Sequence, residues 1–203
     1  MSEALKKLQS RCEGLVADGQ FGPNTARGIA KHFDLNPKRA AHLLGQTVHE
    51  SGSFRYTEEN LNYSKEAILR VFGKYFKDEA EAEKVERNPK ALADIVYGGR
   101  GGNEGEGFLW RGRGFLQLTH KTNYRAFASD MRVPEVMENP NLVATDYAME
   151  SAIWYFRRNN LWTICDEGIE EPVIKKVTKR VNGGYNGLDH RIKETQKIYD
   201  WLK

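Results

Sequence analysis

Cysteine and long apolar runs are scarce in this sequence of 203 residues. The two cysteines, Cys12 and Cys165, lie far apart and form no metal-binding pair, so reduced thiols are expected rather than a disulfide framework. No stretch approaches the roughly 18 apolar residues of a membrane span. Residues 1–10, MSEALKKLQS, lack the apolar segment of a signal peptide. This predicts a protein that is made and kept in a cytoplasm until something else releases it.

Sequence motifs of several common enzyme classes are also absent. Neither GxGxxG nor GxxxxGK[ST] occurs, which argues against dinucleotide and P-loop nucleotide sites. His49 and Glu50 are adjacent, but the second histidine of HExxH is missing, so no metal site of the zinc-protease type is expected. Ser51 and Ser53 lie in no GxSxG turn, which excludes the usual serine hydrolase pattern.

The composition is that of a folded globular protein, with 39% hydrophobic and 29% charged residues and a mean hydropathy of -0.68. The net charge of +3 slightly favours an anionic polymer, either cell wall or nucleic acid. The basic segment KKVTKR, residues 175–180, is a candidate nucleic-acid patch. However, Val177 and Val181 have the spacing of a buried helix face, so a solvated basic face is expected and no nucleic-acid partner is predicted.

Capping residues and apolar spacing predict a mainly α fold with at most a small β element. Helices are predicted after Asn36, from Ser64 to about Phe76, after Asn88, from Thr145 to Arg158, from Pro172 to Asn182, and over the C-terminal residues from Leu188. Residues 98–114, GGRGGNEGEGFLWRGRG, contain too much glycine for a regular element and are expected to form a long loop. Residues 115–119, FLQLT, suit either a short strand or the start of a helix.

The stretch HESGSFRYTEEN contains three carboxylates, Glu50, Glu58 and Glu59, within ten residues. Glu50 ends an apolar helix, where the helix dipole and partial burial both favour a neutral carboxylic acid, the form that a general acid needs. The simpler alternative is a charged residue at an exposed helix end. Glu59 follows a glycine break and is a candidate partner for Glu50, while Glu58 competes with it for the role of base.

Glycosidases use two such carboxyl groups, one to protonate the leaving oxygen and one to activate water or attack carbon. A separation of roughly 6.5–9.5 Å implies inversion, and roughly 5–5.5 Å implies retention. The sequence alone leaves this separation open.

Five blocks occur in an order that resembles the family 19 glycoside hydrolases, which include chitinases and bacteriophage endolysins. They are HES (49–51), ENLNYS (59–64), YGGR (97–100), WRGRGFLQLTHKTNY (110–124) and VNGGYNG (181–187). The resemblance runs from about residue 36 to the end. It implies a lysozyme-like, mainly helical domain of two lobes with a cleft between them, acting by inversion and without a cofactor or metal. Residues 1–35 are predicted to form a helical segment packed on this catalytic domain, 36–203.

The resemblance also implies roles for individual residues. Glu50 matches the general acid, and Glu59 matches the general base of the short-loop, endolysin-like members. Thr119 matches a hydroxyl residue that holds the attacking water. Residues that match sugar-binding or base-orienting positions are Gln117, Asn123 and Asn182, and Arg191 matches an arginine of the charged network.

Aromatic side chains near these blocks offer flat faces to sugar rings. The candidates are Tyr63, Trp110, Tyr124 and Tyr185, with core packing as the alternative, above all for Trp110 and Tyr124. Asn182 has an alternative role as well, because it precedes Gly183-Gly184 and can simply end its helix.

Three features of the sequence favour peptidoglycan over chitin as the substrate. The chain lacks a cysteine-rich chitin-binding module, it lacks a signal peptide, and residues 15–33 are similar to the DGxFGPxT segment of peptidoglycan-binding modules. The interpretation is a monomeric phage-type endolysin that waits in the host cytoplasm, reaches the wall through a holin-type pore and does not insert stably into the membrane. A chitinase and a non-catalytic wall-binding protein are the alternatives.

Overall fold

The computed structural model describes residues 2–203, and this part of the chain is mainly α-helical. It contains thirteen α-helices: α1 (Glu3–Arg11), α2 (Pro23–His32), α3 (Pro37–Glu50), α4 (Lys65–Phe72), α5 (Glu79–Glu83), α6 (Pro89–Tyr97), α7 (Lys121–Met131), α8 (Glu135–Glu138), α9 (Leu142–Thr145), α10 (Ala148–Arg158), α11 (Leu161–Glu167), α12 (Glu171–Asn182) and α13 (Leu188–Leu202). A 3-10 helix, Gly73–Tyr75, follows α4. Within residues 2–203 the β structure is limited to two isolated bridges, which confirms the predicted fold class.

Side-chain caps explain where several helices begin. The Asn36 side chain accepts a hydrogen bond from the Arg39 amide at 2.9 Å, and Asn88 does the same for Ala91 at 3.1 Å. Ser64 caps α4 through the amide of Ala67. Each cap satisfies an amide that has no partner within its own helix, so these predicted starting points are confirmed.

Three predicted elements differ in extent or type. The helix from Ser64 ends at Phe72 and passes into the 3-10 turn, and the helix predicted from Thr145 begins only at Ala148. Residues 115–119 form neither a helix nor a regular strand. Leu118 pairs with Arg113 in a single β-bridge, and Gln117 lies at a φ of 53°, a left-handed conformation that interrupts an extended strand.

The first compact unit comprises residues 2–57, 114–116 and 142–203. Helix α3 runs through its core, with every residue from Ala40 to Val48 buried, and it contacts α2, α10, α11, α12 and α13. A helix that is buried on all sides must pack closely on its neighbours. Gly45 allows this, because a Cβ atom there would lie only 2.9 Å from the Cα atom of Thr195 on α13.

The second unit comprises residues 58–113 and 117–141. A separate hydrophobic cluster stabilises it, formed by Leu61, Ile68, Phe72, Ala82, Val85, Leu92, Ala93 and Val96. Burying each large aliphatic or aromatic side chain contributes about 1.5–3 kcal/mol. The cluster joins α4, α5 and α6, and Phe108 of the glycine-rich loop packs against it. As predicted, residues 98–114 contain no helix.

The N-terminal helices α1 and α2 belong to the first unit, where α2 contacts both α3 and α13. The buried Gln9 amide group holds the turn between them by donating to Asp18 Oδ1 at 2.9 Å and to Thr25 Oγ1 at 3.1 Å. The DGxFGPxT stretch is therefore a turn followed by a helix. The domain boundary at residue 35 stays a prediction.

Cys12 and Cys165 are both buried and free, so the expectation of two reduced thiols is confirmed. Burial raises the pKa of each thiol, which keeps both protonated and unreactive near neutral pH. Among residues 2–203, no helix combines the length and apolar character that crossing a membrane would require.

One buried histidine makes the stability of the first unit depend on pH. His42 on α3 is fully buried, with Nε2 at 2.9 Å from the carbonyl oxygen of Gly168, while Nδ1 has no hydrogen-bond partner. Burial lowers the pKa of His42 below its usual value, although the Gly168 carbonyl opposes this effect. The unfolded chain therefore binds more protons below about pH 6.5, and stability is lost as the pH falls.

We expect the free energy of unfolding to decrease between pH 7 and pH 5, because protonation favours the unfolded state in this window. His42→Gln keeps a donor for the Gly168 carbonyl but cannot titrate, so its decrease should be smaller. Urea denaturation at several pH values measures both slopes. Some slope should remain in the variant, because the pKa values of His49 and His120 are also lowered by burial. Identical slopes would contradict this role of His42.

Candidate active site

Glu50 is the last residue of α3 and lies beside a buried arginine of α13. The Arg191 guanidinium is fully buried and donates from Nη2 to Glu50 Oε1 at 2.5 Å. The Glu50 side chain keeps 24% of its surface exposed, so its carboxyl group contacts both the buried Arg191 and the solvent. The structure thus brings together two of the site residues predicted from the sequence.

Further hydrogen bonds fix the Arg191 guanidinium. Its Nη1 atom donates to Gln46 Oε1 at 2.6 Å, and Nε donates to the carbonyl oxygen of Asn186 at 3.0 Å. Gln46 in turn donates to Thr178 Oγ1 on α12 at 3.0 Å. Gln46 is not among the site residues predicted from the sequence. It lies one helical turn before Glu50 and therefore on the same face of α3, and this spacing could have identified it.

The loop between α12 and α13 packs against the end of α3. Asn182 is the last residue of α12, is exposed, and its side chain accepts from the Asn186 amide at 3.4 Å. Asn182 thus shapes the loop whose Asn186 carbonyl binds Arg191. Gly187 lies directly against His49, since a Cβ atom there would be 1.9 Å from His49 Cε1.

In the second unit, Glu59 is half-buried and bound by a tyrosine. The Tyr97 hydroxyl donates to Glu59 Oε1 at 2.7 Å, and the Gly112 amide lies 3.4 Å from Oε2. Burial, followed by the nearby Glu59 carboxylate, raises the pKa of Tyr97 well above its usual value, so the phenol stays protonated and remains a donor. Tyr97 belongs to the YGGR block, but this contact is not predictable from the sequence, because 38 residues separate the two side chains.

Glu58 lies in a different environment from its neighbour. It forms an antiparallel bridge with Arg113, and its carboxylate accepts from Arg111 Nη2 at 2.8 Å. Arg113 Nε is 3.8 Å from the same carboxylate. Successive side chains of an extended chain point to opposite sides, which explains why Glu58 contacts arginines and Glu59 contacts Tyr97.

Gly112 is a common neighbour of Glu59, Gln117 and Thr119. A Cβ atom at Gly112 would lie 2.5 Å from Gln117 Oε1 and 3.4 Å from Thr119 Oγ1, so both side chains lie over this glycine. Thr119 donates to the Gln117 carbonyl at 2.9 Å, and Asn123 donates to the Thr119 carbonyl at 2.8 Å. Four residues predicted from the sequence therefore form one polar group in this unit.

The aromatic candidates separate into buried and exposed residues. Trp110 and Tyr124 are buried and pack edge to face, with ring centroids 5.3 Å apart, as expected for core packing rather than for sugar platforms. Tyr63 is half-buried and packs edge to face on Phe72, with ring centroids 5.4 Å apart. Tyr185 is 46% exposed and is the candidate whose ring faces solvent.

No group of three histidine, cysteine, aspartate or glutamate side chains suitable for a metal ion occurs among residues 2–203. The hydrogen-bonded groups around Glu50 and Glu59 are carboxyl groups, hydroxyls, amides and a guanidinium group. These are the groups used in acid–base hydrolysis of a glycosidic bond.

A comparison of the sequence with known proteins agrees with this chemistry. The chain is 39% identical over 173 residues to a glycosyl hydrolase family 19 domain-containing protein of Haemophilus influenzae, covering 81% of this chain and 80% of the relative. A search against models of protein families found no match.

Replacing Arg191 by lysine should destabilise the protein. A lysine cannot bind Gln46, Glu50 and Asn186 together, and losing hydrogen bonds of this charged type costs about 1.5–3 kcal/mol. We expect Arg191→Lys to lower the melting temperature by several degrees, measured by calorimetry. Arg39→Lys is the matched control. Arg39 pairs with Asp166, but both side chains are 37% exposed, so the loss should be below about 1 kcal/mol. Equal losses in the two variants would contradict this account.

Proposed function

The chain belongs to glycoside hydrolase family 19, and we propose that it hydrolyses the β-1,4 glycosidic bonds of bacterial peptidoglycan with inversion, as an endolysin that causes host lysis. The choice of Glu59 rather than Glu58 as the general base rests on the different surroundings of the two side chains. Glu59 is held by an uncharged phenol and an amide beside Thr119 and Gln117, whereas Glu58 is neutralised by two arginines. A base needs the first kind of environment, because an ion-paired carboxylate is a weaker proton acceptor.

Glu50 is the proposed general acid. It protonates the glycosidic oxygen as the bond to the leaving sugar breaks, and it becomes a carboxylate in doing so. The Arg191 guanidinium, at 2.5 Å from Oε1, stabilises this carboxylate. Because Arg191 is also bound to Gln46 and Asn186, its position does not depend on the protonation state of Glu50.

Glu59 is the proposed general base, which takes a proton from the water that attacks the anomeric carbon. Tyr97 occupies Oε1, and this leaves Oε2, on the side of the Gly112 amide, for the water. The Thr119 hydroxyl and the Gln117 amide both lie over Gly112 and are the proposed groups that orient this water. Asn123 positions Thr119 through the carbonyl oxygen of that residue.

Peptidoglycan is favoured over chitin by the charge of the chain and by its N-terminal segment. The net charge of +3 suits a wall polymer with carboxylate-bearing peptide stems, whereas chitin is uncharged. The DGxFGPxT stretch, which is similar in sequence to a segment of wall-binding modules, forms a turn followed by helix α2. A chitinase remains the second candidate, because this family includes chitinases.

Substitution of the three carboxylates tests the assignment. We expect Glu50→Gln and Glu59→Gln each to reduce the hydrolysis rate by about 10²–10⁴-fold, the usual contribution of a general acid or base. Glu58→Gln should stay within a few-fold of the unsubstituted protein, although it loses its ion pair with Arg111. The rates are measured as new reducing ends released from purified sacculi.

Parallel digests of sacculi and colloidal chitin identify the substrate. N-acetylmuramic acid reducing ends from sacculi, with little release from chitin, support the endolysin. Chitin oligomers with intact sacculi favour the chitinase. If binding to sacculi is retained and neither polymer is cleaved, the protein is a non-catalytic wall-binding protein. The anomer of the first product, followed by NMR, distinguishes inversion from retention.

Tyr97→Phe should lower kcat about tenfold with little change in KM, because the phenol orients the base without touching the sugar. Tyr75→Phe is the matched control, since its hydroxyl accepts from Arg100 in the same unit and does not bind Glu59. An unchanged kcat in Tyr97→Phe, or an equal loss of kcat in Tyr75→Phe, would refute this positioning role.

A further inference from the structure

The basic segment 175–180 forms the solvent face of α12. Val173, Ile174, Val177 and Thr178 are buried, and the cationic residues Lys175, Lys176, Lys179 and Arg180 are exposed. This confirms the solvated basic face that the valine spacing predicts. It also places four cations within two turns of one helix, and such a concentration of like charge is unfavourable unless something of opposite charge binds there.

These cations are poorly neutralised within the protein. Lys176 pairs with Glu167 at 2.6 Å, but in the described part of the chain Lys175, Lys179 and Arg180 make no ion pair. Lys175 and Lys179 are four residues apart, as are Lys176 and Arg180, and like charges at this spacing repel each other. The helix dipole favours cations in the last turn, which accounts for Lys179 and Arg180 but not for the two lysines before them.

A surface cavity of about 440 Å³ lies beside this face. It is lined by Ile164, Lys176, Lys179, Arg180 and Gly183, so three of the five lining residues are cationic and none is acidic. Gly183 ends α12 at a φ of 77°, a left-handed conformation that suits glycine. The cavity therefore combines a positive wall with an apolar surface at Ile164.

An exposed aromatic ring adjoins the same cations. The Nζ atoms of Lys175 and Lys179 lie 5.1 Å and 6.0 Å from the ring centroid of Tyr185. Attraction between ammonium groups and the ring face holds the lysines near the tyrosine. A flat ring beside positive charges suits a ligand that carries an apolar part and a carboxylate.

The basic face lies close to Glu50 within the first unit. Tyr155 donates to the carbonyl oxygen of Arg180 at 2.8 Å. Thr178, on the same helix, accepts a hydrogen bond from Gln46 at 3.0 Å. Gln46 accepts from Arg191, which also donates to Glu50. A polymer bound at Glu50 would therefore place its substituents within reach of the α12 cations.

We propose that Lys176, Lys179 and Arg180, together with Lys175 and Tyr185, form a binding site for the carboxylates of the peptide stems of peptidoglycan. The proposal rests on the proposed function and specifies which feature of the wall the enzyme recognises. The stems carry several carboxylates, and chitin carries none. The site binds through charge and leaves the chemistry to Glu50 and Glu59.

The test uses the double variant Lys179→Gln/Arg180→Gln. Its rates are compared with those of the unsubstituted protein on intact sacculi and on glycan strands whose stems an amidase has removed. We expect KM for intact sacculi to rise about five- to tenfold with kcat nearly unchanged, and the difference to shrink at high salt. On stem-free strands, which retain the lactyl carboxylate, the two proteins should be equal.

The control is Lys7→Gln/Lys31→Gln, which removes two exposed charges of the same unit that pair with Asp146 and Glu13. Its KM should not change. An equal rise in the control, or an equal rise on stem-free strands, would overturn the stem-binding site. Loss of binding to a short DNA duplex with wall kinetics unaffected would instead make the face a nucleic-acid surface and would equally overturn the proposal.

Sedimentation with sacculi separates this inference from the proposed function. Binding is measured in the inactive Glu50→Gln background, with and without the two α12 substitutions. If the unsubstituted protein does not cleave sacculi but binding depends on both the stems and the cations, only the proposed hydrolysis fails. If sacculi are cleaved and neither binding nor KM responds to the substitutions, only the stem-binding site fails.

Discussion

The organisation of the first unit depends on the hydrogen bonds that the buried Arg191 guanidinium donates. This guanidinium joins α13 to Gln46 and Glu50 on α3 and to the loop carbonyl of Asn186. Removing a cation from water is costly unless each of its donors has an acceptor. Gln46, Glu50 and the Asn186 carbonyl must therefore all lie within hydrogen-bonding distance of Arg191. The close contact of Gly45 with Thr195 makes this possible, because it brings α3 and α13 near enough for side chains to meet.

In the second unit, backbone geometry assigns the two adjacent glutamates to different environments. The bridge between Glu58 and Arg113 holds the chain extended, so consecutive carboxylates point to opposite sides. One side presents Arg111 and Arg113, and the other presents Tyr97 and the amide of Gly112. Glycine at position 112 is required by the side chains of Gln117 and Thr119, which occupy the space that a Cβ atom would fill.

Charge is distributed unevenly over the first unit. Lys7, Lys31 and Arg39 each have an acidic partner. In the described part of the chain, three of the four cations on α12 have none. An uncompensated charge lowers stability slightly, yet it attracts ligands of opposite sign. The same helix ends at Asn182 and leads into the loop that binds Arg191, so the proposed stem-binding site and the support of Glu50 involve neighbouring segments.

The sequence alone determined the mainly helical class, the starting points of α3, α4 and α6, and the candidate carboxylates, because caps and apolar periodicity act between residues close in the chain. Tertiary structure alone decided the partners of those carboxylates. The contact between Tyr97 and Glu59 spans 38 residues, and that between Arg191 and Glu50 spans 141. It also decided that Trp110 and Tyr124 are buried, since packing density, rather than residue type, determines whether an aromatic ring reaches solvent.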